Sequence, residues 1–517
     1  MKDFPISFFS RLHAPKQNLL RDYLDFDIVG FEKLLRTKGE DFWQNLGTKK
    51  ALNTFHKAAV EVPAYKDFLK KNKINHEKIK TVQDFKIVPP TDKENYIQQY
   101  PWQERSWEGG THHAKLIAVS SGTKGSPTFW PRGEFQEAEA ALIHELIYRY
   151  LFDIKTKSTL AIVGFPMGMY VSGVATLLPS FLVATKGYPL TIVSVGNHKN
   201  EILKAVKSLS FNHEQVLLIG HPLFIKDVIE TGLEDGIRWN NIKISMMFCS
   251  EEFSEEWRQY IMQKAGISPQ DIQRVISTYG SSEMLLMAHE TPMSILMRNE
   301  MSRYQKIKEE IVGEGSLPSL FQYNPYLRYI ETVNQELLFT SASGVPLIRF
   351  DLHDRGDIIP FRKAEKVLGS KIHSIPHRWK LPLVALWGRN DYTVVFYAAN
   401  IYPEHVRFAL GTKKLFKKLT GKFTMRKVYH KNMDKKLELH IELRKGIRSN
   451  KEFAREIQDS VTENLRKINM EYDFIFIHNP DKDLRPHIVL WPYQHKKYFK
   501  SGLKPKYILS ETDERRK

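Results

Sequence analysis

The stretch AKLIAVSSGTKGSPTFW, from Ala114 to Trp130, decides the fold. A short apolar run, typical of a β-strand, leads into a loop of serine, glycine, threonine and lysine. Glycine lets backbone amides approach an anion closely, while hydroxyl and ammonium groups add donors and positive charge. The candidates for holding phosphate are therefore the consecutive loop residues Ser120, Ser121, Gly122, Thr123, Lys124 and Gly125.

The residues after this loop distinguish it from a Walker loop. A Walker loop opens directly into a helix, whereas here Pro127 precedes Thr128, Phe129 and Trp130, which favour a second strand. A serine and glycine cluster between two strands is also an ordinary turn. Phosphate binding therefore needs support from elsewhere in the chain.

Three downstream segments supply that support: STYGSSEM at 277–284, LLFTSASGVPLIRFDLHD at 337–354 and WGRNDYTVVFYAANIYPEHV at 387–406. In this order they resemble the Tyr-Gly-x-Ser/Thr-Glu segment, the Ile-Arg-Tyr-x-x-Gly-Asp strand and the Gly-Arg-x-Asp-Asp hinge of the adenylate-forming, AMP-binding superfamily of acyl-CoA synthetases. Residues 62–97 resemble the leader of its phenylacetate-CoA ligase-like, CapK-like branch. The resemblance runs from about residue 55 to about residue 510.

The resemblance and the residue pattern together predict an α/β fold. We expect a large N-terminal adenylate-forming domain with mostly parallel sheets covered by helices, plus a small α+β C-terminal domain. Residues 1–110 have helical patterns, 111–387 alternate between strand and helix patterns, and 388–517 have the pattern of a basic α+β domain. The resemblance implies that 111–387 is the nucleotide- and acid-binding core and that 388–517 is mobile. In that last domain we predict three strands, KFTMRKVYH, KLELHIELR and EYDFIFIHN, and one amphipathic helix, KEFAREIQDSVTENLRKI.

Activating a carboxylic acid with ATP requires a triphosphate cradle, a cation and groups that fix the nucleoside. The resemblance implies that Glu283 binds Mg²⁺, that Tyr279 stacks on adenine beside Gly280, and that Ser282 contacts the α-phosphate. A single hard oxygen ligand beside phosphate and water suits Mg²⁺. Glu251 falls in the nucleotide-binding Gly-Ala-Glu segment of the branch.

The remaining roles come from the later motifs. The resemblance implies that Asp354 accepts the ribose hydroxyls and that Arg389 contacts phosphate or ribose oxygens. Asp391 would be the hinge, and Lys504 the catalytic lysine of adenylation. Asp357 is an alternative to Asp354. The chain departs from the family pattern at four positions: Lys124, Cys249, His353 and Leu503.

The charge of the chain limits the kinds of partner it can have. The chain has 517 residues and a formal charge of +18, and its residues from Arg389 to Lys517 include 29 basic and 16 acidic side chains. This surplus suits coenzyme A phosphates, an acidic carrier protein, an anionic membrane surface or nucleic acid, or is a solvated lysine-rich surface. Without zinc-finger or RNA-recognition spacing, no specific nucleic-acid binding is expected.

Compartment and membrane topology follow from two other features. The single cysteine excludes an internal disulfide, and the start lacks a signal peptide pattern, so we expect a cytoplasmic protein. Residues 160–185 carry no charge, but prolines and glycines divide them into a strand at Thr159–Val163, a loop and a helix, so no transmembrane segment is expected. In the resembled family this stretch lies beside the acyl pocket. The candidate pocket walls, which are equally plain core residues, are Phe165, Met167, Met169 and Tyr170.

Three hypotheses about function remain open at this point. The first is an ATP-dependent, AMP-forming ligase that makes an acyl-adenylate from a small carboxylic acid and passes the acyl group to coenzyme A or another thiol. The second delivers the acyl group to an amine, a hydroxyl or a carrier protein. The third is a non-catalytic homologue that binds nucleotide or a partner through the same fold.

Overall fold

The computed structural model describes residues 19–110, 114–120, 128–168, 171–249, 252–314, 317–375, 378–389, 394–410, 415, 417–430, 432–495 and 498–499. The chain divides into two compact units. The larger unit comprises Met1–Ser120 and Phe129–Gly388, and the smaller unit comprises Ser121–Thr128 and Arg389–Lys517.

The described part of the N-terminal region is helical. Its α-helices are Leu19–Leu24, Ile28–Thr37, Glu40–Glu61, Pro63–Lys71 and Val82–Phe85, with 3₁₀ turns at His76–Lys78 and Trp107–Gly109 and a π-helical turn at Lys93–Ile97. Local capping explains these boundaries. Pro63 occupies the first turn of its helix, and Thr81 forms a capping box with Asp84.

Residues after this region form the two predicted strands. Strands β1 (Leu116–Ser120) and β2 (Thr128–Arg132) make a two-stranded sheet. The second strand, and not a helix, follows the glycine-rich segment, as the β-branched and aromatic residues predict. The loop between them, residues 121–127, lies outside the described residues.

An eleven-stranded sheet dominates the described residues of the larger unit. Its strands are β3 (Thr159–Val163), β4 (Leu190–Ser194), β5 (Gln215–Gly220), β6 (Ile244–Phe248), β7 (Val275–Ser281), β8 (Leu285–His289), β9 (Ser319–Gln322), β10 (Tyr329–Val333), β11 (Glu336–Ser341), β12 (Leu347–Ile359) and β13 (Leu383–Arg389). The spatial order is β10-β11-β12-β13-β9-β8-β7-β6-β5-β3-β4. Strands β3, β5, β6 and β7 are neighbours that pair in parallel, so their carboxyl ends meet at one edge of the sheet.

The sheet is mixed. The expectation of a mostly parallel sheet holds for one half of it and is wrong for the other half. Strands β3 to β7 pair in parallel, whereas β7 with β8, β9 with β13, and β10 to β12 pair antiparallel. The helices that accompany it are Glu134–Phe152, Val171–Ala184, Lys199–Leu209, Pro222–Glu234, Glu255–Lys264, Pro292–Arg303, Gln305–Val312 and Phe361–Leu368. The predicted strand, glycine loop and helix of residues 159–185 are confirmed at Thr159–Val163 and Val171–Ala184.

The smaller unit is an α+β fold, as predicted. Its strands are β14 (Val394–Phe396), β15 (Ala399–Ile401), β16 (Leu419–Tyr429), β17 (Lys435–Leu443) and β18 (His487–Trp491), and its helices are Pro403–Leu410, Lys451–Ile468 and Met470–His478. The helix Lys451–Ile468 buries Phe453, Ile457, Val461 and Leu465, the apolar face that its periodicity predicts.

One element of the smaller unit is predicted wrongly. EYDFIFIHN was expected to be a strand, but Met470–His478 is a helix. Asn469 caps it by accepting a hydrogen bond from the backbone N–H of Tyr472, which is fully buried. The cap and this packing outweigh the β-propensity of the aromatic and branched residues. The third strand is β18, which pairs in parallel with β17.

Membrane crossing has no support in the described part of the chain. Across those residues, every helix is too short or too polar to span a bilayer.

Candidate functional site

The antiparallel hairpin of β7 and β8 carries the YGSSE segment. Tyr279 and Gly280 lie in β7, and Ser282 and Glu283 occupy the turn that leads into β8. A Cβ at position 280 would lie 2.7 Å from the carbonyl oxygen of Leu285. Close approach of the two hairpin strands therefore requires glycine at this position, independently of any ligand.

Tyr279 and Asp354 meet although 75 residues separate them. The Tyr279 hydroxyl donates a 2.5 Å hydrogen bond to Oδ2 of Asp354, and both residues are buried. The Tyr279 ring stacks on Phe321 at a centroid distance of 5.7 Å. Asp357 is exposed, and its carboxylate accepts the backbone N–H of Ile358. Of the two acids considered for the ribose, Asp354 is the one beside Tyr279.

Glu283 is a buried carboxylate with a lysine partner. Its Oε1 lies 2.9 Å from Nζ of Lys93, and the side chains are 4% and 20% exposed respectively. Burial alone would raise the pKa of Glu283. The Lys93 ammonium, the backbone N–H of Glu283 and the Ser281 hydroxyl outweigh burial and lower the pKa below its ordinary value. The carboxylate is therefore ionised at neutral pH.

Lys93 reaches this position because its segment is attached to β12. The Thr91 hydroxyl donates to the carbonyl of Ile348 at 2.9 Å, and the backbone N–H of Asp351 donates to the carbonyl of Thr91 at 2.7 Å. Asp92 then accepts from two backbone amides and caps the π-helical turn that begins with Lys93. The hydrogen bonds of Thr91 and Asp92 thus hold the backbone at Lys93 so that its ammonium lies beside Glu283.

Strand β12 adopts a left-handed backbone conformation at His353. This residue stands where the motif predicts glycine, and its φ is 60°. Histidine tolerates the left-handed region better than most residues. Its backbone N–H donates to Oδ1 of Asp351 at 2.6 Å, and its ring lies 3.2 Å from Oδ2. These contacts stabilise the backbone immediately before Asp354.

Two other predicted segments approach each other within the larger unit. Gly388 has a φ of 97°, and a Cβ there would lie 3.2 Å from Oε1 of Glu252. A left-handed backbone at the Gly-Arg motif explains its glycine. Arg389 ends β13. The Arg389 side chain, Glu251 and Asp391, the predicted hinge, lie outside the described residues.

The phosphate loop is described only at its first residue. The Ser120 hydroxyl accepts a 2.9 Å hydrogen bond from Nε1 of Trp130 across the two-stranded sheet. The remaining predicted loop residues, Ser121, Gly122, Thr123, Lys124 and Gly125, lie outside the described residues, as does Lys504.

The carboxyl ends of the parallel strands define the neighbouring surface. Phe165 follows β3 and is buried, and its ring contacts that of His221, which follows β5, at 4.9 Å. Cys249 follows β6, packs against the core and has its carbonyl 3.3 Å from Nδ1 of His221. Met167 is partly buried against the same core. Met169 and Tyr170 lie outside the described residues.

The sequence analysis missed two residues of this site. Lys93 stands in the leader segment, residues 62–97, 190 positions before Glu283. Nothing in the local sequence distinguishes it from the other lysines of that segment. Ser281 hydrogen-bonds Glu283 and accepts the backbone N–H of Met284 at 3.2 Å. The adjacent serines of YGSSE were the available signal for Ser281.

Metal binding by protein ligands alone has no support in the described residues. No cluster of three or more His, Cys, Asp or Glu side chains there could hold a metal ion. At this turn Glu283 presents one buried carboxylate, paired with Lys93.

The fold of this chain is similar to that of a solved acyl-CoA ligase. It is similar to 2-hydroxyisobutyryl-CoA ligase in complex with 2-HIB-AMP and CoA in the thioesterification state, with a TM-score of 0.60 and 14% identity over 89% of each chain. The same ligase in the postadenylation state with 2-HIB-AMP gives a TM-score of 0.51 at 12% identity, over 90% of this chain and 88% of that one.

The amide bond synthetase McbA from Marinactinospora thermotolerans aligns with a TM-score of 0.44 and 11% identity, over 78% of this chain and 69% of that one. Neither a protein-family model nor a curated protein matches the sequence. The structural likeness thus confirms the fold class.

Proposed function

We propose that the protein is an ATP-dependent, AMP-forming carboxylic acid ligase. It forms an acyl-adenylate and transfers the acyl group to coenzyme A or another thiol. The observation that carries the proposal is the convergence of Tyr279 with Asp354 and of Glu283 with Lys93 in the larger unit. These pairs join three motifs that lie far apart in the sequence.

The nucleoside end of the site would be bound by the first pair. Asp354 is a buried carboxylate that can accept ribose hydroxyls, and the Tyr279 hydroxyl holds one of its oxygens in place. Tyr279 is also the proposed stacking partner of adenine beside Gly280. Its existing stack on Phe321 fixes the plane of the ring.

The phosphate end would be bound by the second pair. Glu283 would hold Mg²⁺, which neutralises charge on the phosphates when bound. Lys93, one-fifth exposed, adds a protein cation at the same place and keeps the carboxylate ionised. Ser282, in the same turn, is the proposed partner of the α-phosphate. The glycine-rich loop 120–125 would hold the outer phosphates, with Glu251 and Arg389 as further nucleotide contacts.

Transfer and turnover are assigned from the sequence motifs. Lys504 would neutralise the charge that grows between the carboxylate and the α-phosphate. Asp391 would be the hinge at the junction of domains 111–387 and 388–517. The resemblance of residues 62–97 to its leader supports the phenylacetate-CoA ligase-like, CapK-like branch as the proposed one. A single cysteine favours a cytoplasmic location.

Coenzyme A is the favoured acceptor, because a structural neighbour is a CoA ligase that binds both its adenylate and CoA. The basic residues after Arg389 give the phosphates of coenzyme A an attractive field. An acidic carrier protein would use the same field, so the acceptor must be tested directly.

Mass spectrometry tests the proposal. The protein is incubated with ATP, Mg²⁺ and pooled aromatic, fatty, hydroxy and amino acids, with and without coenzyme A. We expect an acyl-adenylate and pyrophosphate that depend on the acid, and AMP together with an acyl-CoA thioester only when coenzyme A is also present. An acyl-adenylate that gives no thioester with coenzyme A would indicate that the acyl group goes to an amine, a hydroxyl or a carrier protein. Absence of both acyl-adenylate and pyrophosphate from folded, ATP-binding protein would contradict the proposal.

A further inference from the structure

Three buried charged residues lie behind the turn that carries Glu283. Arg328 and Glu139 are each 2% exposed in their side chains, and Lys50 is 15% exposed. Glu139 accepts from Nη1 of Arg328 through one oxygen and from Nζ of Lys50, at 2.7 Å, through the other. The three residues come from a loop and two helices that are distant in sequence.

The Arg328 guanidinium also binds the backbone of the turn itself. Nη2 donates to the carbonyl oxygen of Met284 at 3.2 Å, and Nε donates to that of Leu286 at 3.1 Å. Between these carbonyls Leu285 has a φ of 60°, a conformation that costs a leucine energy. A planar cation with several fixed donors therefore fastens the strained backbone immediately after Glu283.

The anchor is itself held on both sides. Nζ of Lys50 donates to the carbonyl of Tyr326 at 3.1 Å, so the loop that contains Arg328 is tied to the helix Glu40–Glu61. Gly47 of that helix packs so closely on Pro325 that a Cβ would not fit. Glu139 lies between two cations, and although burial opposes it, their charges lower its pKa and keep it ionised.

We propose that Arg328, fixed by Glu139 and Lys50, is a positioning residue for Glu283. It holds the turn so that the carboxylate faces Lys93 and the phosphate end of the site. This inference rests on the proposed function, because it takes Glu283 to be the residue that binds magnesium. Residues that orient a metal ligand in this way typically change metal affinity or activity by about 10–100-fold when they are replaced.

The test compares Arg328→Lys with a matched control, Arg149→Lys. Arg149 lies on the same helix as Glu139 and forms a bidentate buried pair with Glu32, at 2.8 Å for both hydrogen bonds. Both variants lose a planar guanidinium and keep its charge. Only Arg328 touches the turn after Glu283.

Magnesium is titrated in acid-dependent ATP–pyrophosphate exchange with the full-length protein, and the magnesium dependence of ATP binding is measured by calorimetry without acid; both midpoints should respond in the same way. For Arg328→Lys we expect the half-saturating magnesium concentration to rise about tenfold or more and kcat to fall, with KM for the acid unchanged. A purely structural role would reduce the active fraction and leave the magnesium midpoint in place, as expected for Arg149→Lys. An Arg328→Lys midpoint equal to that of the control would overturn the inference.

Two further outcomes are informative. If Arg328→Lys does not fold, Glu139→Gln keeps the side-chain volume and removes the charge that holds Arg328, and it should shift the midpoint in the same direction; an unshifted midpoint would again overturn the inference. If the unaltered protein shows no exchange with any acid, the proposed function itself fails, and the positioning role fails with it.

Discussion

Replacing Lys93 by methionine tests the electrostatics of the candidate site without any assumption about substrate. The change leaves the Glu283 carboxylate, 4% exposed, without its cation. Removing one partner of a fully buried pair costs about 3–5 kcal/mol, whereas exposed pairs contribute about 0–1 kcal/mol. Because Lys93 is one-fifth exposed, we expect an intermediate loss of about 2 kcal/mol at neutral pH.

The loss should depend on pH in a defined direction. In the unaltered protein the pKa of Glu283 is lowered, so its stabilisation is present above the ordinary carboxylate pKa and is lost as pH falls through the folded-state pKa. In Lys93→Met, burial is no longer opposed by the ammonium, and the pKa rises. The variant is then relieved by protonation as pH falls, so its deficit should be greatest at pH 8 and shrink towards pH 5.

Thermal unfolding at several pH values between 5 and 8 measures the deficit. For a unit of this size, 1 kcal/mol corresponds to about 1.3 °C, so a midpoint decrease of about 2–3 °C is expected at pH 8. Lys71→Met is the matched control, because its exposed pair with Asp67 should leave the midpoint unchanged. The double variant Lys93→Met/Glu283→Gln should lose the pH dependence. A Lys93→Met deficit that stays constant from pH 5 to 8 would refute the reasoning.

Other predictions address individual residues. Glu283→Gln should raise the magnesium concentration needed for exchange about tenfold or more, and an unchanged magnesium titration would contradict its role. Lys504→Ala should abolish adenylate formation yet spare transfer from preformed adenylate; equal loss of both half-reactions, measured separately, would count against the assignment. Tyr279→Phe should raise KM for ATP, because Asp354 loses a buried hydrogen bond, and KM for ATP in exchange is the check. Gly280→Ala should destabilise the protein in urea by about 1–3 kcal/mol, since its Cβ meets Leu285. Gly39→Ala, whose Cβ meets nothing within 4 Å, should cost less, because only the helix N-cap preference for glycine over alanine is lost.

Local patterns predicted much of the fold. The apolar run at Thr159–Val163, the glycines after it and the helix Val171–Ala184 were predictable because strand, loop and helix each have their own residue pattern. The amphipathic face of Lys451–Ile468 was predictable for the same reason. Strand direction was not, since periodicity does not distinguish β8 of the antiparallel half from a parallel strand.

Tertiary contacts decided the rest. Met470–His478 has the residues of a strand and becomes a helix because Asn469 caps it and Tyr472 is buried. The pairing of Glu283 with Lys93 needs β12 to hold the leader segment, a contact between residues about 260 positions apart. Motif resemblance could place Tyr279 and Asp354 in one site, but only their geometry shows that one holds the other.

Acid-dependent ATP–pyrophosphate exchange tests the central claim most directly. It is run with magnesium across pooled aromatic, fatty, hydroxy and amino acids, with Glu283→Gln in parallel. The account predicts exchange with at least one pool and a sharply reduced rate in the variant at the same magnesium concentration. Exchange with no pool, from folded protein that binds ATP, would contradict an adenylating enzyme and favour a non-catalytic nucleotide-binding protein.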